Sequence, residues 1–181
     1  MIIFGVLLVV GILGGALGGS DEPKKVDTPV AEVKPDVEVK PEAEEVVEAD
    51  DNFYIGETID YKGYKVTVVG VDKSAGSEYD KPKAGKEYVI VSVEIQNDSK
   101  EKQSYNLFDY SMQNSNGEIE SISFTIVNTD TALSSGDLAP GGKTSGTLAF
   151  EQPIDDANLI LNYKASFWSD KDVPIILTQR P

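Results

Sequence analysis

Residues 87–97 read Glu-Tyr-Val-Ile-Val-Ser-Val-Glu-Ile-Gln-Asn, a run in which two sets of side chains alternate. One set is apolar throughout and comprises Val89, Val91, Val93 and Ile95. The other set begins apolar at Ile90 and becomes polar, with Ser92, Glu94 and Gln96. Because successive side chains of a strand point to opposite faces of its sheet, the run predicts a strand with one core face and one face that becomes solvated.

Short runs of the same kind, separated by turn residues, occupy the rest of residues 53–181. Asp60-Tyr61-Lys62-Gly63-Tyr64 predicts a tight hairpin turn, and Gly70 predicts a bulge in the strand that follows. Asn116-Gly117 predicts a second hairpin turn with positive φ angles, followed by a partner strand over 118–124. Further predicted inward sets are Phe108, Tyr110 and Met112; Gly146, Leu148 and Phe150; and Leu159, Leu161 and Tyr163.

No run of ten residues in this region has the apolar period of an amphipathic helix. Seven to nine short strands at this spacing predict an all-β domain over residues 53–181, built as an antiparallel two-sheet β-sandwich.

The N-terminal residues 2–19 form an unbroken apolar run. As a helix, the run would extend about 27 Å, close to the thickness of the membrane hydrocarbon. It predicts either a membrane anchor, which its length favours, or a signal peptide cleaved near Ala16-Leu17-Gly18. Leu17-Gly18-Gly19-Ser20 has the shape of a lipobox, but Ser20 stands where a lipidated cysteine is required. Gly11, Gly15 and Gly19 form a small-residue face that predicts weak self-association.

Residues 21–52 contain 12 acidic residues and 4 lysines, and they carry a six-residue repeat at 31–36 and 37–42. Regular prolines and the lack of aromatic residues leave too little apolar area to offset the entropy of ordering. The segment is therefore predicted to be a disordered linker with a reach of at most about 100 Å. With residues 1–20 as anchor, residues 21–181 are expected outside the membrane, or secreted if the segment is cleaved.

The net charge of −15 argues against a nucleic-acid partner, since a phosphate backbone attracts clustered Lys and Arg. The chain has no Cys and no His. Their absence excludes a Cys nucleophile, a Ser–His–Asp triad, disulfides, and zinc sites built on thiolate or imidazole. We therefore expect a protein that is not an enzyme and that uses no cofactor.

Three stretches carry a resemblance to a known family. Residues 84–97 read Ala-Gly-Lys-Glu-Tyr-Val-Ile-Val-Ser-Val-Glu-Ile-Gln-Asn, residues 108–117 end in Asn116-Gly117, and residues 138–153 read Leu-Ala-Pro-Gly-Gly-Lys-Thr-Ser-Gly-Thr-Leu-Ala-Phe-Glu-Gln-Pro. Over roughly residues 54–178, their order and spacing resemble the bacterial domain of unknown function numbered 4352, common in surface lipoproteins and membrane-anchored proteins of Gram-positive bacteria. The resemblance implies an immunoglobulin-like sandwich similar to a secreted mycobacterial antigen. The matched residues are structural and transfer no active site.

Carboxylates are the remaining candidates for chemistry. Glu118 and Glu120 lie two positions apart on a predicted strand, about 7 Å from each other, a separation found in glycoside hydrolases. Loop carboxylates at Asp155, Asp156, Asp170 and Asp172 are hard ligands that suit calcium, although Lys171 lies between the last two. Solvated strand and turn residues are the favoured interpretation of both sets, so we predict no catalytic, cofactor-binding or metal-ligating residue. Trp168, beside Phe167, is either a core residue or a recognition aromatic.

The expected function is a non-catalytic binding or interaction module at the bacterial cell surface, with an unknown protein or cell-envelope partner. Two alternatives stand beside it. One is a carboxylate-based hydrolase acting on envelope glycan, and the other is a structural envelope protein without a discrete ligand. An exposed aromatic patch beside loops would favour the binding module, whereas a deep cleft with two facing carboxylates would favour the hydrolase.

Overall fold

The computed structural model describes residues 24–26, 52–164 and 172–180. Within these ranges, twelve strands and two short 3-10 helices follow one another. The 3-10 helices are Leu107–Asp109 and Ile126–Asn128. The strands are β1 (Lys24–Val26), β2 (Phe53–Tyr54), β3 (Thr58–Tyr61), β4 (Tyr64–Ser74), β5 (Lys86–Asn97), β6 (Gln103–Tyr105), β7 (Tyr110–Gln113), β8 (Ile119–Ser121), β9 (Gly136–Leu138), β10 (Lys143–Pro153), β11 (Ile160–Tyr163) and β12 (Val173–Ile176).

The first sheet has the order β1-β3-β4-β5-β10, and β5 runs antiparallel to both of its neighbours. Its inward residues Val89, Val91, Val93 and Ile95 are at most 1% exposed, which confirms the predicted facing of this strand. Each buried valine stabilises the fold by roughly 1.5–3 kcal/mol relative to an exposed one. The central strand is therefore a major source of the folding free energy.

The predicted hairpin turn and bulge are both confirmed in β3 and β4. Lys62 and Gly63 have φ angles of 52° and 89°, and Tyr61 lies opposite Tyr64. Along β4, the pairing with β5 shifts between Val68 and Gly70. The extra residue, Val69, faces outward and is 48% exposed.

The second sheet has the order β2-β12-β11-β7-β8, in which β2 and β12 are parallel. A small third sheet pairs β6 with β9. Inward residues of the two large sheets belong to one core, which includes Met112, Leu161 and Ile175 together with the valines of β5. The predicted all-β fold is confirmed as a sandwich-like arrangement of several antiparallel sheets.

The predicted inward position of Phe108 is wrong, because Phe108 is 66% exposed. The side chain of Asn106 accepts a 3.0 Å hydrogen bond from the backbone N–H of Phe108 and caps the 3-10 helix Leu107–Asp109. The two-residue strand period therefore begins only at Tyr110, which is 3% exposed, and continues to Met112. The cap formed by Asn106 therefore replaces the strand that the alternation predicted at Phe108.

The turn between β7 and β8 also differs from its prediction. Gly117 has a φ of 80°, but Asn116 does not adopt a positive φ. The buried side chain of Asn114 organises the turn, since its carbonyl accepts 3.0 Å hydrogen bonds from the N–H groups of Asn116 and Glu118. The strand predicted over 118–124 is shorter, because β8 ends at Ser121.

Three residues of the predicted disordered linker, Lys24–Val26, form a strand that pairs antiparallel with β3. The structure therefore places these three residues in a sheet, whereas the prediction had them disordered. Residues 21–23 and 27–51 of the linker and residues 2–19, with Gly11, Gly15 and Gly19, lie outside the described residues. Within the described ranges, the structure has no helix of the length and apolar character needed to cross a membrane.

Candidate functional site

A groove of about 530 Å³ opens beside the outer edge of β10. Its floor includes Leu133, Leu148 and Ala149, which are buried. Its rim includes Tyr79, Phe124 and Ile126, which are 87%, 79% and 57% exposed. We call this feature the aromatic groove.

Phe108 enlarges the apolar rim of the aromatic groove. Its ring lies edge-on to that of Phe124, with 6.2 Å between the ring centroids. Edge-to-face contact is a preferred arrangement of aromatic rings, and it orients both side chains while they are exposed to water. Clustered exposed apolar side chains of this kind mark interaction surfaces more often than isolated ones do.

The segment 122–133 forms one wall of the groove because it is hydrogen-bonded to β10 near both of its ends. The N–H of Ser123 donates to the carbonyl of Ala149 over 2.8 Å, and the N–H of Leu133 donates to the carbonyl of Thr147 over 2.9 Å. Between these points the chain leaves the sheet and forms the 3-10 helix Ile126–Asn128. The excursion carries Phe124 and Ile126 away from the core and into solvent.

Gly146 allows the segment to approach β10 this closely. A Cβ atom at this position would lie 2.7 Å from the Cα of Leu133 and 2.8 Å from its nitrogen. Contacts this short require the backbone to move. Gly146 was predicted to share a face with inward apolar residues. Its lack of a side chain makes room for the wall of the groove.

Asp80 joins the loop between β4 and β5 to the wall of the groove. Its carboxylate accepts hydrogen bonds from the backbone N–H of Ile126 and from the hydroxyl of Tyr88, both 2.7 Å long, and from the hydroxyl of Thr125. These hydrogen bonds, the one from Thr125 foremost, hold the pKa of Asp80 below its ordinary value. The carboxylate is therefore ionised at neutral pH and acts as a structural acceptor.

The neighbouring turn presents Tyr79. The N–H of Ser77 donates to the carbonyl of Asp80 over 2.7 Å, and the hydroxyl of Ser77 accepts from the N–H groups of Tyr79 and Asp80. Gly76 has a φ of 85°, and a Cβ there would lie 2.3 Å from the Asp80 carbonyl oxygen. Tyr79 is thus exposed at the tip of a turn whose backbone is organised by local hydrogen bonds.

The two strand carboxylates proposed as a pair have separate partners. Glu120 forms a 2.6 Å ion pair with Lys86, and this interaction lowers the pKa of Glu120. Glu118 accepts a 2.8 Å hydrogen bond from the side-chain amide of Asn114. A glycosidase needs one carboxylic acid with a raised pKa, and Glu120 has the opposite shift.

Of the predicted loop carboxylates, Asp156 holds the backbone of neighbouring turns. Asp156 accepts hydrogen bonds of 3.0 and 2.9 Å from the N–H and hydroxyl of Ser115, and one of 2.9 Å from the N–H of Asn158. The backbone hydrogen bond from Ser115 is the main cause of its lowered pKa. Asp155 has a φ of 59°. Across the described parts of the chain, no group of three potential metal ligands comes together, while Asp170 and Lys171 lie outside them.

The aromatic residues predicted near the last strands have different outcomes. Tyr163 is buried and stacks on Tyr110, with 4.8 Å between the ring centroids, and burial raises the pKa of both hydroxyls. Trp168 and Phe167 lie outside the described residues. The exposed aromatic residues around the groove, Tyr79, Phe108 and Phe124, were not predicted as site residues. Their signal in the sequence is weak, since each is a single aromatic residue near turn-forming residues.

Comparison with solved structures gives two matches with a TM-score of 0.54. One is the yjhA protein from Bacillus subtilis, which is 21% identical and is matched over 69% of this chain and 98% of its own. The other is a candidate lipoprotein, ycdA, from Bacillus subtilis subsp. subtilis str. 168, which is 19% identical and is matched over 67% of this chain. The chain spans only 38% of that second structure. At these identities, the likeness shows the fold alone.

No curated protein matches the chain. A family model does match, over residues 53–173, and its description is a domain of unknown function, DUF4352. The matched range contains every described strand from β2 to β11 and all residues that line the aromatic groove. This confirms the family indicated by the three sequence stretches: the chain belongs to the DUF4352 family.

Proposed function

We propose that this protein is an extracytoplasmic, membrane-tethered interaction module without catalytic activity, and that the aromatic groove is its contact surface. The observation that carries the proposal is the exposure of Tyr79, Phe124 and Ile126 around one groove, with the exposed ring of Phe108 against that of Phe124. Large apolar side chains in water are unfavourable, and burying them against a partner is the main source of binding free energy at most interfaces.

The organisation of the loops supports the same proposal. Hydrogen bonds to Asp80 and to β10 hold the rim in place before any partner arrives. Such preorganisation reduces the entropy lost on binding. Aromatic residues on loops supported by a rigid sheet are a common arrangement for recognition.

The charge of the domain indicates the kind of partner. Residues 53–181 contain 19 acidic residues against 12 basic ones, a net charge of −7. An anionic polymer would be repelled at long range, whereas a neutral protein segment would not be repelled and a basic one would be attracted. We propose a protein of this chemistry at the cell envelope as the partner.

The proposed location outside the membrane is based on the sequence. Residues 2–19 are long enough for an anchor, and cleavage after them would release a secreted domain. The candidate lipoprotein among the structural neighbours supports a surface location. The two large sheets, which are antiparallel except for the β2–β12 pair, also support the finer proposal of an immunoglobulin-like topology.

The hydrolase alternative is less well supported, because Glu118 and Glu120 have different partners and the ion pair lowers the pKa of Glu120. The other alternative is a structural protein without a discrete ligand. An experiment is needed to distinguish it from a binding module. Both alternatives predict that the rim of the groove contacts no particular protein.

The test places a photo-crosslinking amino acid at Ile126 in the full chain, expressed in its native cell envelope. The matched control is Ile154, which is also 57% exposed but lies outside the groove. We expect a discrete covalent adduct from position 126 and none from position 154. Identical adducts from both positions, or none from 126, would contradict the proposal.

A further inference from the structure

The outer edge of β3 is completed by a strand that comes from the linker. In this pairing, Lys24 lies opposite Asp60, Lys25 opposite Ile59 and Val26 opposite Thr58. Residues 27–52 separate β1 from the first strand of the domain. The contact is therefore long-range in sequence, and it joins the linker to the sandwich.

Sheet edges need protection because their free N–H and C=O groups pair with other chains. At the opposite edge of the same sheet, β10 is covered by residues of the domain itself, as the hydrogen bonds of Ser123 and Leu133 show. The β3 edge is instead met by β1. An edge that accepts a strand from outside the domain is an interaction surface.

The paired segment has two features that distinguish it from the rest of the linker. Lys24-Lys25 is the sole basic doublet of the linker sequence, whereas Lys34 and Lys40 stand alone. Because the domain has a net charge of −7, a basic doublet is the part of the linker that it attracts most strongly. Pro23 and Pro29 flank the segment and lack N–H donors, so the strand pairing is confined to a few residues.

We propose that the outer edge of β3 is a strand-acceptor site whose partner is residues 24–26 of the same chain, bound reversibly. A pairing of three residues must offset the entropy of closing a long loop, which favours exchange between paired and released states. If residues 2–19 anchor the chain, as proposed above, the release of β1 from the edge of β3 lengthens the tether between the membrane and the domain. The tether then has a reach of at most about 12 Å, over residues 20–23, when β1 is paired, and of at most about 100 Å, over residues 20–52, when β1 is released.

The absence of native cysteines makes the pairing directly testable in the full chain. The double variant Val26→Cys with Thr58→Cys joins two positions that lie opposite each other, within the reach of a disulfide. Val33→Cys and Val39→Cys, each combined with Thr58→Cys, are controls from the same linker. We expect the first pair to form an intramolecular disulfide roughly tenfold faster than either control, because pairing raises the effective concentration of the thiols.

A second comparison tests the strand pairing itself. Lys25→Pro, added to the Val26→Cys/Thr58→Cys variant, should slow the reaction to the control rate, whereas Lys34→Pro should leave it unchanged. High salt should also slow the reaction, because the attraction of the basic doublet is screened.

Equal rates for all three cysteine pairs, or no effect of Lys25→Pro, would overturn the proposal. A disulfide found in covalent dimers would show instead that the edge receives the strand of a second copy. None of these results depends on a binding partner, so a failure here leaves the crosslinking test at Ile126 to decide the function of the groove independently.

Discussion

The carboxylate of Asp80 accepts a 2.7 Å hydrogen bond from the backbone N–H of Ile126, 46 positions further along the chain. Asp80 lies in the loop between β4 and β5, and Ile126 begins the 3-10 helix on the wall of the aromatic groove. The same carboxylate accepts a hydrogen bond from Tyr88 on β5. One side chain therefore connects both loops of the groove to the central strand.

Replacement of Asp80 by Ala should loosen the wall of the groove without unfolding the sandwich. The N–H of Ile126 would lose its acceptor, so its amide hydrogen exchange should accelerate roughly tenfold or more, while amides in β5 keep their protection. Hydrogen exchange followed by NMR measures both. Asp130→Ala, at an exposed residue of the same segment, is the control and should change neither. Unchanged exchange at Ile126 would show that Asp80 does not hold the wall.

The contribution of Asp80 should depend on pH in a defined direction. Its pKa is lowered in the folded protein, from an ordinary value of 3.8, by hydrogen bonds from Thr125, Ile126 and Tyr88. A lowered folded pKa stabilises the native state above 3.8, and this stabilisation is lost as pH falls through the folded value. The stability difference between the parent and Asp80→Ala should therefore shrink in urea melts as the pH is lowered through and below the ordinary value of 3.8. A constant difference would contradict the assignment.

Val91→Asp and Ser92→Asp should have very different effects on stability. Val91 is 0% exposed on the core face of β5, and Ser92 is a half-buried residue on the other face. The first substitution removes a transfer energy of roughly 1.5–3 kcal/mol and adds several kcal/mol for a buried charge. The domain is expected not to fold with Asp at 91, whereas Ser92→Asp should cost less than half as much. Urea denaturation compares the two, and greater damage from Ser92→Asp would refute the assigned facing.

Asn114, rather than Asn116, should determine the stability of the β7–β8 turn. The Asn114 side chain is 2% exposed and hydrogen-bonds both N–H groups of the turn and Glu118. Asn114→Ala should cost about 1–3 kcal/mol because it leaves buried partners unpaired. Asn116→Ala should be close to neutral, since its φ is not positive. Chemical denaturation of both variants measures the two losses of stability. Equal losses would support the primed turn that the Asn-Gly pair predicts.

Tyr110→Phe should leave the domain as stable as the parent or more stable. The hydroxyl of Tyr110 is buried and has no hydrogen-bond partner among the described residues. Removing an unsatisfied buried hydroxyl relieves a desolvation penalty of roughly 1–3 kcal/mol. Tyr64→Phe is the contrast, because the Tyr64 hydroxyl is hydrogen-bonded to Tyr163, and burial raises its pKa to about 12. A larger loss of thermal stability for Tyr110→Phe than for Tyr64→Phe would contradict this expectation.

The fold could be predicted where local periodicity and burial agree. Val89 to Ile95, the Lys62-Gly63 turn and the bulge at Gly70 each depend on a few neighbouring residues, and all three are confirmed. The predicted inward position of Phe108 and the predicted positive φ of Asn116 were wrong. In both places a side-chain cap, from Asn106 or Asn114, sets the local backbone. Such caps compete with strand pairing at close range, and the alternation of apolar residues does not reveal them.

The candidate site could not be predicted in the same way. Tyr79, Phe108 and Phe124 are ordinary aromatic residues in the sequence, and Phe108 and Phe124 were assigned to predicted strands. Their exposure around one groove depends on hydrogen bonds between distant residues, such as Ser123 to Ala149 and Ile126 to Asp80. The carboxylates that the sequence offered as catalytic or metal-binding candidates have structural partners instead. Glu120 forms an ion pair, and Glu118 and Asp156 accept hydrogen bonds in turns.

The sequence by itself determined the all-β class, the core face of the central strand and the exclusion of chemistry based on Cys or His. These depend on residue identity and on a period of two, which are local properties of the chain. The tertiary structure alone decided that three aromatic residues and Ile126 share a groove, and that linker residues 24–26 meet the edge of β3. Both arrangements arise from contacts between segments far apart in the chain, which exist only once the two sheets have formed.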